Sequence, residues 1–138
     1  MKSCKTQQLD HVAIALENLE EVEKLYTKAL GLTVKHRETV YDQGVRTSML
    51  VPEKGGTSIE LLEPLDKNSP ISKFLEKRGE GIHHVCFVVD NIEESLAILK
   101  KEGIELIDQV ARDGAYGAKV AFIHPKAMHG VLVELAEL

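Results

Sequence analysis

The sequence predicts an α+β fold built from two tandem βαβββ modules that share one concave mixed β-sheet. Three observations predict it. The chain has 138 residues, 43% of them hydrophobic and 28% charged, which is the size and composition of one globular unit. It repeats itself at a spacing of 73 positions. Within each copy, short apolar β-branched runs alternate with one stretch of helical periodicity. Repeats decide architecture before any local signal does. His11-Val-Ala-Ile-Ala-Leu-Glu-Asn-Leu-Glu-Glu21 matches His84-Val-Cys-Phe-Val-Val-Asp-Asn-Ile-Glu-Glu94, and Gly44–Pro52 matches Gly117–Pro125. One further residue of shift lays Ile59-Glu-Leu61 over Val133-Glu-Leu135. Residues 1–138 are therefore read as a single domain, with module one at about 9–65, a connector helix at 66–81 and module two at 82–138.

The elements follow in order. Val12–Leu16 and Val85–Val89 are short apolar runs that suit strands buried on both faces. A helix comes next in each module, because Asn18 with Glu21 and Asn91 with Glu94 have the spacing of an N-cap and its partner. Apolar residues then recur at helical intervals: Leu19, Val22, Leu25, Tyr26 and Ala29, and Ile92, Leu96 and Leu99. Gly31 and Gly103 stand where a left-handed C-terminal cap is expected. Three extended segments complete each module, at about Thr33–Val40, Arg46–Val51 and Ser58–Glu63, then Glu105–Ala111, Lys119–His124 and Val131–Ala136. The connector carries a short helix opened by Ser69 and Pro70. Either half alone would leave a broad apolar sheet face uncovered, so the halves are expected to pack as one unit.

Composition removes several classes of function. Seventeen Lys and Arg against 22 Asp and Glu leave a net charge of −5 with no basic stripe, so a nucleic-acid partner is not expected. No apolar run approaches the ~20 residues that cross a bilayer, and Met1–Asp10 lacks a hydrophobic signal segment. A cytoplasmic protein with no membrane partner is the expectation. Cys4 and Cys86 are too few for a disulfide framework or a cysteine zinc site.

Four side chains stand out because the repeat places them in pairs. His11 and His84 open the first strand of each module, and Glu60 and Glu134 lie in the last strand, 49 and 50 residues later. Strand alternation puts His11 on one face with Ala13 and Ala15, while Val12, Ile14 and Leu16 face the other way. Ile59 and Leu61 face away from Glu60, as Val133 and Leu135 do from Glu134. Singly, a buried histidine is most often a hydrogen-bonded core residue and a strand glutamate an edge residue. Two equivalent pairs are not explained that way, and buried carboxylates must be neutralised. Two neutral imidazoles and two carboxylates make a donor set for a divalent cation with two positions left for oxygen ligands. The other histidines carry weaker signals: His36 and His83 are expected in solvent, and His129 near a ligand at the loop after His124. Cys86, on the face of His84, is read as packing.

The duplicated modules with His11, Glu60, His84 and Glu134 resemble the vicinal oxygen chelate (glyoxalase/bleomycin resistance) superfamily. Within it, the phrases Leu9-Asp-His-Val-Ala-Ile-Ala15, Glu60-Leu-Leu-Glu-Pro64, Ser69-Pro-Ile71, Gly81-Ile-His-His-Val85, Phe122-Ile-His-Pro-Lys126 and Gly130-Val-Leu-Val-Glu-Leu135 resemble the methylmalonyl-CoA epimerase family across nearly the whole chain. The resemblance implies metal-dependent epimerisation of an acyl-CoA at its α-carbon, with His11, Glu60, His84 and Glu134 as ligands and Glu134 also a base. It implies a divalent ion, cobalt first with manganese, nickel, iron or zinc as alternatives, and a homodimer. Relatives that carry a second glutamate after a Gln-Gly-Val phrase would have it at Thr47, which cannot abstract a proton at neutral pH. Glu60, where some relatives have glutamine, or a metal-bound water is then the second acid/base. Lys119 and Lys126 are candidate phosphate partners, equally readable as surface lysines, and Gly114–Gly117 a candidate lid. Competing readings are a glyoxalase I type lactoylglutathione lyase, a dioxygenase, which wants only two histidines and one carboxylate, and a non-catalytic binding protein of the same fold.

Overall fold

The structure is a computed structural model and describes residues 2–138. In chain order it contains β1 (Thr6–Ala15), α1 (Leu19–Leu30), β2 (Thr33–Val40), β3 (Val45–Val51), β4 (Ser58–Pro64), α2 (Pro70–Arg78), β5 (Gly81–Val89), α3 (Ile92–Lys101), β6 (Arg112–Asp113), β7 (Lys119–Ile123) and β8 (Val133–Glu137). Backbone contacts group His11–His83 into one compact unit and His84–Leu138, with the residues up to Asp10, into another. The α+β class with a doubled βαβββ order is as the repeat predicts.

The N-terminal unit holds a four-stranded sheet in the order β2-β3-β4-β1. The β2–β3 and β3–β4 pairs are antiparallel, while the His11–Ala15 half of β1 runs parallel to β4. The C-terminal unit repeats this plan as β5-β8-β7-β6, with β5 and β8 parallel and the remaining pairs antiparallel. One face of each sheet packs on its helix. Leu16, Leu19, Leu50 and Leu61 form the buried cluster of the first unit. Val89, Ile92, Ile123 and Leu135, their counterparts in the repeat, belong to the buried cluster of the second. The duplication therefore conserves the helix-facing core, and the opposite face is left for chemistry.

Both helices begin as their sequence predicts. Asn18 Oδ1 accepts from the Glu21 N–H at 3.1 Å, and Asn91 Oδ1 from the Glu94 N–H at 2.9 Å. A second device at each N-terminus was not legible locally. Glu63, at the end of β4, accepts from the Leu19 N–H at 2.8 Å, and Glu137, its counterpart on β8, from the Ile92 N–H at 2.9 Å. Each carboxylate satisfies a free amide at the positive end of a helix. Gly31 closes α1 at φ 69°, a left-handed conformation that only glycine adopts without strain. In α2, Ser69 Oγ caps the Ile71 N–H at 3.2 Å, with Pro70 following it.

One expected strand does not form. Glu105–Ala111 is irregular, touching β7 through a single bridge between Leu106 and Ile123, and regular pairing is confined to Arg112–Asp113. Asp108 is the reason. Its carboxylate accepts from the Phe122 N–H at 2.8 Å, while the Ile107 and Asp108 N–H groups both donate to the Phe122 carbonyl, at 2.9 and 3.3 Å. A side chain thus takes the place of a ladder carbonyl, the competition with backbone pairing for which aspartate is known.

Candidate metal centre

Strand register builds one His–Glu pair in each unit. In the first, His11 pairs with Ser58 and Ala13 with Glu60 across β1 and β4, so His11 and Glu60 are diagonal neighbours on one face. Their Nε2 and Oε1 atoms are 3.3 Å apart, with side chains 8% and 6% exposed. In the second, Cys86 pairs with Glu134, which places His84 on the same diagonal. His84 Nε2 and Glu134 Oε1 are 3.1 Å apart, the side chains 5% and 7% exposed. Alternation does the rest: Ile14, Leu16, Ile59 and Leu61 go to the helix side, leaving the imidazoles and carboxylates on the other.

The donor chemistry of each pair fits a divalent ion. Ligand atoms at right angles, each about 2.1 Å from a metal, are about 3 Å from one another, which is the separation in both pairs. Buried carboxylates also need compensation, which an ion or a protonated imidazole supplies. His84 is oriented further by Phe122, whose ring meets it edge-on at 5.3 Å and 88°. The Arg112 guanidinium lies 5.7 Å from the centre of the same Phe122 ring.

The level of each carboxylate in its sheet shows a pattern that the sequence reading passed over. Glu60 lies between Ala13 on β1 and Met49 on β3, and Glu134 between Cys86 on β5 and Phe122 on β7. Each acid therefore has one small and one large apolar neighbour. The repeat alignment already paired Met49 with Phe122, and that was the available signal. Thr47 is 1% exposed and shares the Glu60 face two residues from Met49. Glu38 is its cross-strand partner, and His36 that of Met49.

The remaining residues are placed as follows. His36 is half-exposed and contacts Glu38 at 3.1 Å. His83 is not simply solvated: its ring meets Phe74 edge-on at 4.9 Å. His124 Nδ1 accepts from the Lys126 N–H at 3.1 Å, a turn-capping role, and His129 takes a left-handed conformation at φ 55°. Cys86 is fully buried beside Glu134. Lys119 pairs with Asp113 at 3.1 Å, both exposed, so its charge has a partner. In the Gly114–Gly117 loop Tyr116 sits at φ 62°, and a Cβ on Gly114 would approach Val120 to 2.7 Å.

Sequence comparison now places the molecule. Residues 10–122 match the Glyoxalase/Bleomycin resistance protein/Dioxygenase superfamily, and the chain belongs to it. Among its relatives, an uncharacterised protein of Bacillus subtilis, YqjC, is 42% identical over 94% of this chain and 91% of its own. The mitochondrial methylmalonyl-CoA epimerase of Dictyostelium discoideum is 44% identical over 94% of this chain and 77% of its own. Among solved structures, a single-substitution variant of the Streptomyces coelicolor methylmalonyl-CoA epimerase in complex with 2-nitronate-propionyl-CoA superposes with a TM-score of 0.90 at 34% identity, over 96% of this chain and 95% of that one. The resemblance carried by the sequence phrases is thus matched over nearly the full chain. Among the described residues no helix is long and apolar enough to cross a membrane.

Proposed function

We propose that the protein epimerises methylmalonyl-CoA at its α-carbon, with His11, Glu60, His84 and Glu134 together holding one divalent cation. The observation that carries this is the doubled, buried His–Glu pair, read beside epimerase relatives above 40% identity. When bound, the cation supplies a Lewis acid for negative charge developing on the thioester oxygen.

The chain's own groups move the proton. From one epimer the Glu134 carboxylate takes the α-proton, leaving a planar enolate, and inversion requires a proton from the opposite face. Glu60, protonated, delivers it, and the reverse reaction exchanges the two roles. Thr47 leaves β3 without an acid on this face, and the buried carboxylate on the adjacent strand β4 is Glu60, opposite Met49, so we assign the second acid/base role to Glu60. Burial of both pairs excludes bulk water from the groups that carry the proton. The substrate partner is a small acyl-CoA. From the resemblance we place cobalt first as the ion and read the chain as a homodimer.

The test incubates metal-loaded protein with each epimer separately in heavy water, with and without a chelator. Deuterium is expected at the α-carbon, together with inversion, and both should disappear on chelation. Glu134→Gln should reduce epimerisation by at least about 100-fold, the scale of losing a general base. Glu60→Gln should retain metal yet suppress exchange from one epimer much more than from the other. Equal, mild effects on both epimers would remove Glu60 from the mechanism. Turnover of a glutathione hemithioacetal in place of the CoA thioester would replace the epimerase reading with a glyoxalase I type isomerase.

A further inference from the structure

We infer that Met49 sets the size of the α-substituent that the site accepts, an inference that rests on the epimerase reading above. The planar enolate fixes the geometry of the problem. Protons come and go perpendicular to its plane, while the α-alkyl group stays in the plane and so lies alongside a base, not above or below it. An alkyl group makes no hydrogen bonds, and beside a buried carboxylate it needs an apolar wall. The residues able to provide one are the large apolar neighbours at the level of each acid, Met49 beside Glu60 and Phe122 beside Glu134.

These two walls are not equivalent. Phe122 is fixed by its edge-on contact with His84 and by Arg112 over its ring. Changing it would disturb an imidazole that we assign to the metal. Met49 is 6% exposed, and its unbranched thioether adapts to the space it fills. On the other side of Glu60, Ala13 is already too small to shorten further in a useful way. Beyond Met49, on the neighbouring strand β2, the next side chain at the same level is His36, 47% exposed. Shortening Met49 therefore opens room towards the sheet edge, whereas shortening Phe122 removes a support. The volume of one side chain on β3 decides between a methyl and an ethyl group.

The experiment measures kcat/KM for ethylmalonyl-CoA relative to methylmalonyl-CoA, using full-length metal-loaded wild type, Met49→Ala and Met49→Phe. The ratio is taken within one preparation, so a variant that folds only partly still reports it. Met49→Ala should raise the ratio about tenfold or more and Met49→Phe should lower it, the range in which an apolar pocket discriminates a single methylene. A ratio unmoved by both substitutions, with wild type active, overturns this inference and leaves the epimerase reading standing. Wild type that epimerises neither thioester overturns that reading, and this one with it.

Discussion

Glu23 shows how a single side chain on the helix-facing side of the first sheet is held in its charged form. It lies on α1, 13% exposed, where Arg37 donates Nε at 2.9 Å and a second guanidinium N–H, and Ser48 donates its hydroxyl at 2.6 Å. The Arg37 hydrogen bonds lower its pKa from the ordinary 4.5, and Ser48 adds to that, while burial opposes both. A carboxyl held below its unfolded value stabilises the fold above about pH 4.5, and that contribution is lost as pH falls through the depressed value. Arg37 is 62% exposed, so solvent screens much of the pairing. Replacing Glu23 with Ala should cost about 1–3 kcal/mol at pH 7, because the buried Ser48 hydroxyl loses its acceptor. Glu23→Gln should be less stable than wild type at pH 7, and the gap should narrow on acidification below 4.5, as read by urea denaturation across pH. At this scale the paired His and Glu residues were legible and Glu23 was not. His11, Glu60, His84 and Glu134 announce themselves by repetition, whereas Glu23 has Leu96 as its counterpart in the second module and so no echo.

Among the elements, the helices were read correctly and one strand was not, for a common reason. Asn18, Asn91 and Gly31 act on backbone groups within a few residues, so their effect travels with the local sequence. Glu63 and Glu137 cap the same helices from strands 44 and 45 residues away, and only folding brings them there. Each of Glu63→Gln and Glu137→Gln should destabilise by about 0.5–2 kcal/mol, the usual worth of a helix N-terminal cap with its charge, measured by thermal or denaturant unfolding. A pair of neutral effects would mean that water replaces these carboxylates. The stretch Glu105–Ala111 alternates well enough to resemble a strand, yet Asp108 satisfies the Phe122 N–H that a strand carbonyl would have taken. Periodicity reports which residues are apolar and is blind to where a carboxylate will find its donor.

For the whole molecule, the central expectation is that metal binding and folding stability are linked. A cation that binds the native chain and not the unfolded one stabilises it by about 2.7 kcal/mol at a free concentration of 100 Kd. Chelation should accordingly lower Tm by several degrees. On the proposed four-ligand reading, His11→Ala should abolish that metal-dependent shift as fully as His84→Ala does. If either single variant keeps the full shift, the four residues do not act on one ion. The duplicated core gives this linkage a plain basis: the residues that pack on α1 and α3 are repeat-equivalent, and the residues facing the other way are the His–Glu pairs.

By itself the sequence determined the number of modules, their βαβββ order, the helix caps and which histidines and glutamates are paired by the repeat, because each of these follows from repetition or from spacings of a few residues. The register of the strands was decided only in the tertiary structure. It sets His11 3.3 Å from Glu60 and His84 3.1 Å from Glu134, seats Met49 and Phe122 beside the two acids, and sends Glu63 and Glu137 back to the helices. The reason is physical: register is selected by the burial of entire strand faces, a sum over residues distant along the chain that no short stretch contains.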